Sequence, residues 1–175
     1  NFVAGQSINR NEFGIKNGIF WSNNGEIVAF YEKDETDVHD YPLLDINQTP
    51  GSLKSVKYPM AGQTSEYGKV GVYNTKKKTL IYLQPVHEKD DYVTNLTWSP
   101  NDEFIYIAEL NRDQNHMKWA QYDVNTGKRI KTIFEEKNNK WVEPEYALYF
   151  IPEKNDEFIT LSERDGFINL YRCLL

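Results

Sequence analysis

Short runs of alternating apolar and polar residues, separated by polar turn segments, cover most of the chain. Residues 20–26 (Phe-Trp-Ser-Asn-Asn-Gly-Glu) precede the apolar run 27–31, and residues 97–103 (Thr-Trp-Ser-Pro-Asn-Asp-Glu) precede the run 104–108 in the same way. A more degenerate third copy begins at Tyr149. Each copy predicts a strand, a turn and a second strand, because aromatic and β-branched residues suit pleated strands and Asn, Asp, Gly and Pro suit turns.

A second pair of strands follows each copy, so the repeating unit is a set of four antiparallel strands. Phe150 follows Trp98 by 52 residues, close to the about 40–50 residues of one β-propeller blade. Trp98 follows Trp21 by 77 residues, and the excess falls in residues 34–67, which predict a long extended arm. The expected fold is therefore all-β: a partial β-propeller of about three four-stranded antiparallel blades with this arm.

We expect one partial β-propeller domain over residues 1–175. Its parts are an inter-blade connector at 1–17, a blade at 18–83 carrying the arm at 34–67, a second blade at 93–134 and an incomplete third blade at 146–175. The connector is polar between residues 9 and 16 and predicts a loop or a short helix. The apolar stretch 170–175 predicts a strand, so we also expect the chain to be part of a longer protein. Trp21 and Trp98 share one repeat position, and we expect both to pack in the core.

Charge and composition exclude several classes of function. The formal net charge is −6 and the pI is near 5.1, which disfavours binding to nucleic acids. No apolar run approaches the length of a transmembrane helix. The single cysteine, Cys173, can form no disulfide within the chain and is expected to be a buried structural thiol.

Sequence motifs for nucleophilic, metal or phosphate chemistry are absent. There is no G-x-S-x-G, no H-E-x-x-H and no glycine-rich phosphate loop. We therefore predict no catalytic residue, no metal site and no cofactor in these residues. His39, His87 and His116 lie in polar stretches and are expected to be ordinary surface histidines. Residues 47–49 and 95–97 match the acceptor pattern for N-glycosylation.

Four stretches together are more specific than a generic propeller repeat. They are residues 9–22, with Asn-Glu-Phe-Gly-Ile followed by Phe-Trp-Ser; residues 29–42, with Phe-Tyr-Glu-Lys-Asp-Glu-Thr; residues 57–62, Lys-Tyr-Pro-Met-Ala-Gly; and residues 94–100. In this order they resemble the propeller of bacterial dipeptidyl peptidase IV, a branch of the prolyl oligopeptidase family of serine peptidases. The resemblance runs along essentially the whole chain.

The resemblance implies an enzyme that releases dipeptides from peptide N-termini, with proline or alanine in the second position. Its Ser-Asp-His triad lies in a separate C-terminal α/β-hydrolase domain, none of which is in these residues. In such enzymes, acidic residues on a short helical segment before the Phe-Trp-Ser strand pair with the free α-ammonium of the substrate. The matching stretch here is Arg10-Asn11-Glu12-Phe13, which has one glutamate where animal relatives have adjacent glutamates. Glu12 is the first candidate for binding the substrate N-terminus and Asn11 the second, because a buried ammonium needs an opposing charge and several acceptors.

The resemblance also implies a homodimer formed through the arm at 34–60 and a periplasmic or secreted location. An arm that packs on its own domain is the alternative. Two other functions stay open: a non-catalytic propeller that acts as a binding scaffold, and a different exopeptidase of the same family, such as an acylaminoacyl peptidase, without a site for a free amine.

Overall fold

The computed structural model describes residues 2–86 and 90–175. In these ranges the chain forms short antiparallel strands and a single 3-10 turn at Asn9–Asn11. The strands are β1 (Phe2–Ala4), β2 (Ile19–Trp21), β3 (Ile27–Asp34), β4 (Asp40–Asp45), β5 (Ser52–Lys57), β6 (Tyr67–Asn74), β7 (Thr79–Tyr82), β8 (Tyr92–Trp98), β9 (Phe104–Leu110), β10 (His116–Asp123), β11 (Arg129–Lys137), β12 (Tyr149–Phe150), β13 (Glu157–Ser162) and β14 (Asn169–Leu174).

The strands group into three sheets that follow one another in the sequence. The first sheet has the order β1-β3-β6-β7, with β2 also paired to β3; the second is β8-β9-β10-β11, and the third is β12-β13-β14. Strands β4 and β5 form a separate hairpin between β3 and β6, within the residues expected to form the arm. The expected all-β partial β-propeller is confirmed.

The β2–β3 turn of the first sheet and the β8–β9 turn of the second sheet are built alike, as the sequence repeat predicts. Ser22 Oγ donates to Asn24 Oδ1 at 2.9 Å and accepts the backbone N–H of Ile27 at 3.0 Å. Ser99 makes the equivalent two bonds at 2.8 and 2.9 Å in the second sheet. The hydroxyl therefore closes both turns with the same pattern of side-chain bonds.

Hydrogen bonds also join these two turns across the sheets. Asp102 Oδ1 accepts the backbone N–H of Asn23 at 2.7 Å, and Asp102 Oδ2 accepts the backbone N–H of Asn24 at 2.9 Å. The side-chain amide of Asn23 donates to the Ser99 carbonyl at 3.0 Å. The register between the first two sheets is thus fixed by polar contacts as well as by packing.

Two apolar cores lie on opposite faces of the second sheet. Successive residues of a strand point to opposite faces, so Ile105 and Ile107 of β9 enter one core while Tyr106, Ala108 and Leu110 enter the other. The first core is shared with the first sheet and includes Ala29, Tyr31, Val70, Val72, Ala120 and Tyr122. The second core is shared with the third sheet and includes Met117, Trp119, Val142, Leu148 and Phe158.

Two details differ from the sequence-based expectation. Residues 1–17 were expected to connect blades, but Phe2–Ala4 form a strand of the first sheet, paired with residues 32–34 of β3.

Trp98 packs against the first core and donates its indole N–H to the Phe20 carbonyl at 3.1 Å. Trp21, expected in the core, is 57% exposed, because no described sheet covers the side of the first sheet that corresponds to the one Trp98 packs against. Cys173 is half-buried at the margin of the second core.

Candidate functional site

Residues 5–18 form the loop that connects β1 to β2, which we call the excursion. Strands β1 and β2, on either side of it, pair with the same edge of β3. The Gly5 N–H donates to the Tyr31 carbonyl at 2.8 Å, and the Tyr31 N–H donates to the Gly18 carbonyl at 2.9 Å. The two ends of the excursion therefore meet at Tyr31, and the ladder of β3 continues across the insertion.

The tip of the excursion is a left-handed turn. Asn9, Arg10 and Asn11 have φ values of 49°, 53° and 65°, and Phe13 has a φ of 57°. The short helical segment implied by the resemblance is thus a single 3-10 turn with left-handed φ values. Left-handed backbone costs non-glycine residues roughly 1–2 kcal/mol each, although asparagine tolerates it better than most. Such backbone persists only where its surroundings hold it, which occurs most often at functional sites.

Apolar anchors hold the excursion on both sides of the turn. Ile8 and Ile15 are buried in the first core, and Phe13 is buried in the second. Asn95 of β8 donates its side-chain amide to the Phe13 carbonyl at 2.9 Å. These contacts fix the backbone of the turn while its polar side chains stay outside the cores.

A polar cleft of about 440 Å³ lies beside the turn, between the excursion and the root of the arm. The backbone N–H of Asn9 donates to Glu66 Oε1 at 2.5 Å. Lys33 forms ion pairs with Glu35 at 2.8 Å and with Glu66 at 3.6 Å. The guanidinium of Arg10 donates to the Lys57 carbonyl at 2.6 Å and stacks on the Tyr58 ring at 4.1 Å.

Sequence reasoning did not find Glu66, Lys33 or Glu35 as neighbours of the turn. Glu66 lies 57 residues from Asn9 in the chain, and no local pattern signals that contact. The only indirect signal is the long insertion between β3 and β6, which returns the chain to the first sheet immediately after Glu66.

Both predicted site residues, Asn11 and Glu12, are exposed on the turn. Asn11 also lines the polar cleft. The backbone of Glu12 closes the turn, because its N–H donates to the Asn9 carbonyl at 3.0 Å and its carbonyl accepts the Ile15 N–H at 3.1 Å. Among the described residues, the carboxylate of Glu12 has no hydrogen-bond or ion-pair partner. Glu12 is not among the residues that line the cleft. The turn therefore exposes a free carboxylate and, on the preceding residue, an amide oxygen.

The two histidines that the structure describes lie in different surroundings. His39 is exposed, His116 Nε2 lies 2.5 Å from Glu135 Oε1, and His87 lies outside the described residues. Hydrogen bonds to Glu135, the stronger effect from His116 and the weaker from Lys137, hold the pKa of its carboxyl below the usual value. No group of three or more His, Cys, Asp or Glu side chains in residues 2–86 and 90–175 is arranged to hold a metal ion. In the same residues, no helix has the length and apolar character to span a membrane.

A buried ion pair lies on the first-core face of the second sheet. The Glu109 carboxylate accepts hydrogen bonds from Arg129 Nε at 3.0 Å and from Arg129 Nη2 at 2.9 Å. It also accepts a hydrogen bond from the Tyr122 hydroxyl. Burial, followed by the Glu109 charge, raises the pKa of Tyr122 well above its ordinary value. These bonds join β9, β10 and β11, because Glu109, Tyr122 and Arg129 lie on these three strands.

Comparison with known proteins gives a consistent result. The family model for the dipeptidyl peptidase IV (DPP IV) N-terminal region matches residues 2–175. A crystal structure from Bacteroides ovatus that carries the name dipeptidyl aminopeptidase IV superposes with a TM-score of 0.93 at 44% sequence identity, covering 99% of this chain and 24% of that chain. The crystal structure of Porphyromonas gingivalis dipeptidyl peptidase 4 has the same fold, with a TM-score of 0.87 at 24% identity over 98% of this chain and 25% of that chain.

Curated relatives agree at lower identity. A protein of Uncinocarpus reesii named "Probable dipeptidyl-aminopeptidase B" is 23% identical over 181 residues, which are 90% of this chain and 20% of the relative. A protein of the same name from Phaeosphaeria nodorum is 26% identical over 182 residues. The chain spans about a fifth of the length of these relatives. Because the family model matches residues 2–175 and the three sheets superpose on solved relatives, the chain belongs to the family of the dipeptidyl peptidase IV N-terminal region.

Proposed function

We propose that this chain is the propeller portion of a serine exopeptidase of the dipeptidyl peptidase IV type. In this role it gates substrate entry and binds the peptide N-terminus through Glu12, with Asn11 as a second contact. The catalytic triad belongs to a C-terminal α/β-hydrolase domain of the same protein, which is the partner of the propeller. The observation that carries the proposal is the exposed, unpaired carboxylate of Glu12 on a backbone turn that both cores hold in place.

The chemistry of an α-ammonium suits this arrangement. The group carries a positive charge and three N–H donors, so a carboxylate and further acceptors must surround it when it leaves water. The Glu12 carboxylate supplies the charge and the Asn11 amide oxygen supplies another acceptor. An N-acylated peptide lacks both the charge and the donors, so the site reads a free chain end and excludes interior segments.

The test is a kinetic assay of the full-length protein that contains this chain. Release of a chromophore from a Gly-Pro conjugate is compared for the wild type, for Glu12→Gln and for Glu153→Gln, a matched control because Glu153 is exposed on a turn of the third sheet. We expect Glu12→Gln to lower kcat/KM roughly ten- to a hundredfold, as for loss of a charged hydrogen bond of about 1.5–3 kcal/mol. Glu153→Gln should match the wild type.

The same assay with an N-acetylated substrate separates the alternatives. A free-amine gate requires the wild type to cleave the acetylated conjugate with a much lower kcat/KM than the free conjugate. Cleavage of both substrates at equal rates would favour a different exopeptidase of the family. No cleavage of either substrate would favour a non-catalytic scaffold.

The arm is proposed as the homodimer contact, in agreement with its exposed apolar side chains. Leu44, Ile46 and Leu53 on the β4-β5 hairpin are 66%, 78% and 77% exposed, and apolar surface of this kind marks interaction sites. We expect the full-length protein to be a dimer by light scattering and Leu53→Asp to make it a monomer. A Leu53→Asp dimer would favour the arm packing on its own domain. The periplasmic or secreted location stays a proposal that cell fractionation can test.

A further inference from the structure

Asn95 lies at an irregular point of β8, which is an edge strand of the second sheet. The pairing of β8 with β9 shifts register between Thr94 and Thr97, and Asn95 has a φ of 53°. The residue is 6% exposed. Bulges of this type turn one side chain away from the regular alternation of the strand, and here the side chain that is turned is a buried amide.

This amide binds two chain segments that are distant in the sequence. Asn95 Nδ2 donates to the Phe13 carbonyl of the excursion at 2.9 Å, and it also donates to the Pro144 carbonyl of the segment between β11 and β12. Next to these bonds the two segments meet directly: a Cβ on Gly14 would lie 2.0 Å from the Glu145 carbonyl oxygen. The excursion and the 143–146 segment are therefore locked together at this point.

We infer that Asn95 is a positioning residue for recognition of the substrate N-terminus. The inference rests on the proposed function, because the group it positions is the Asn11-Glu12 turn. Phe13 follows Glu12 directly, so the bond to the Phe13 carbonyl fixes the end of the turn from which the carboxylate projects. The bond to the Pro144 carbonyl fixes the distance between the excursion and the 143–146 segment. Glu145 and Tyr146 of that segment are exposed.

A purely structural role makes a different prediction from a positioning role. A structural amide would lower stability when removed and would leave the kinetics of the folded protein unchanged. Removal of a positioning amide would also weaken the binding of substrates that carry a free amine. It would leave kcat/KM for an acetylated substrate unchanged. The ratio of kcat/KM for the free and the acetylated Gly-Pro conjugate therefore distinguishes the two roles.

The decisive variant is Asn95→Gly in the full-length protein, because glycine accepts the positive φ and only the side chain is lost. Gln121→Ala is the matched control: Gln121 is also a buried amide with 6% exposure, lies in the same sheet, and donates to the Tyr106 hydroxyl at 2.9 Å, not to the excursion. We expect Asn95→Gly to raise KM about tenfold with kcat within about twofold, and the ratio of free to acetylated substrate to fall by the same factor. Gln121→Ala should leave both unchanged.

A double variant connects Asn95 to Glu12. If Asn95 acts through the carboxylate, Asn95→Gly should add little to the loss already caused by Glu12→Gln. Hydrogen exchange gives a readout independent of turnover: amides of residues 9–16 should exchange faster in Asn95→Gly while those of β9 keep their protection.

The outcomes are separable. An unchanged KM and substrate ratio in Asn95→Gly, together with a clear loss in Glu12→Gln, would overturn the role of Asn95 and leave the proposed function standing. No loss in Glu12→Gln would overturn the proposed function and this inference with it. Unchanged exchange of residues 9–16 would also refute the positioning role, even in a variant with low activity.

Discussion

The first and second sheets share one repeat but differ in where the chain leaves the strand ladder. In the second sheet, β8 to β11 follow one another through short connections, and the middle strands are buried on both faces. In the first sheet the chain leaves the ladder twice, once at the excursion between β1 and β2 and once at the arm between β3 and β6. The turns that close their first hairpins are nevertheless bonded alike through Ser22 and Ser99.

The two sheets therefore have different roles: the second is a scaffold, and the first carries the segments that we propose for binding and association. The second sheet supplies a rigid body with a core on each face, and the first sheet uses that body to hold two inserted segments. Loops positioned by a rigid scaffold are where binding residues concentrate. Apart from Asn95, whose side chain bonds to the excursion, substitutions in the second sheet should therefore act on stability. Substitutions in the inserted segments should act on binding or association.

The largest expected effect is the loss of a buried aromatic side chain from the second sheet. Trp119 is 1% exposed in the second core, so Trp119→Ala should destabilise the propeller by about 3–5 kcal/mol. Leu53→Ala on the arm should change stability by less than about 0.5 kcal/mol, as surface substitutions usually do. Hydrogen exchange of β9 amides in the full-length protein measures both, and equal effects would contradict the separation.

The buried ion pair should be the next most sensitive feature. Arg129→Met leaves the Glu109 carboxylate buried without its cation, which should cost about 3 kcal/mol. The comparison in the first sheet is Lys33→Met, which removes the ion pairs with Glu35 at 2.8 Å and with Glu66 at 3.6 Å. It should cost less, because both of these carboxylates are more exposed than that of Glu109. Urea titration followed by circular dichroism tests the order, and a larger effect of Lys33→Met would reverse it.

Alkaline pH should weaken the second sheet through Tyr106. Burial raises the pKa of Tyr106 to about 12, despite the opposing hydrogen bond from Gln121, whereas a tyrosine in the unfolded chain titrates near ~10. Between these values the unfolded state loses a proton that the folded state keeps, so stability is full below pH ~10 and falls as the pH rises toward ~12. Tyr106→Phe should make this decline shallower in thermal unfolding measured from pH 8 to 11. An unchanged slope would exclude Tyr106 as a contributor.

The smallest expected effect concerns the contact between the turn and the arm. Arg10→Met removes the stacking on Tyr58 and the bond to the Lys57 carbonyl, interactions that are worth about 0.5–1 kcal/mol at an exposed site. We expect KM for the Gly-Pro conjugate to rise about two- to fivefold, because the turn loses one of its supports. Arg164→Met, which removes a similar stacking on the Phe134 ring at 4.6 Å, away from the turn, should leave KM unchanged. Equal KM values for the two variants would show that the arm does not support the turn.

The regular part of the fold was predictable because its signals are local. The Trp-Ser-x-Asn pattern marks the first hairpin in two sheets, and the spacing of the copies gives the blade size. The pairing of Phe2–Ala4 with β3 was not predictable, because a three-residue strand has too few positions to show alternation. Trp21 was wrongly placed in the core, since a repeat position does not reveal which faces are covered.

The site was predictable only in part. The stretch that carries Asn11 and Glu12 was found by its resemblance to a family, but its left-handed backbone was not, because three such residues in succession have no sequence signature apart from two asparagines. Asn95 was noticed as part of an N-glycosylation pattern and of the stretch 94–100 that resembles the family, but not as a site residue. Its burial and its two carbonyl partners oppose modification in the folded state. The signal that could have identified it is an amide in a run, residues 92–98, otherwise made of aromatic, aliphatic and threonine side chains.

The meeting of Gly5 and Gly18 at Tyr31 has a consequence for how this family can diversify. Because the excursion starts and ends at one point of the ladder, its length can change without a shift in the register of β3. Each doubling of a flexible loop adds only about 0.6 kcal/mol of closure entropy. Insertions or grafted peptides at the exposed tip of the excursion, residues 10–12, should thus be tolerated as long as Ile8, Phe13 and Ile15 keep their places in the cores. Recognition of chain ends could then evolve while the blade stays the same.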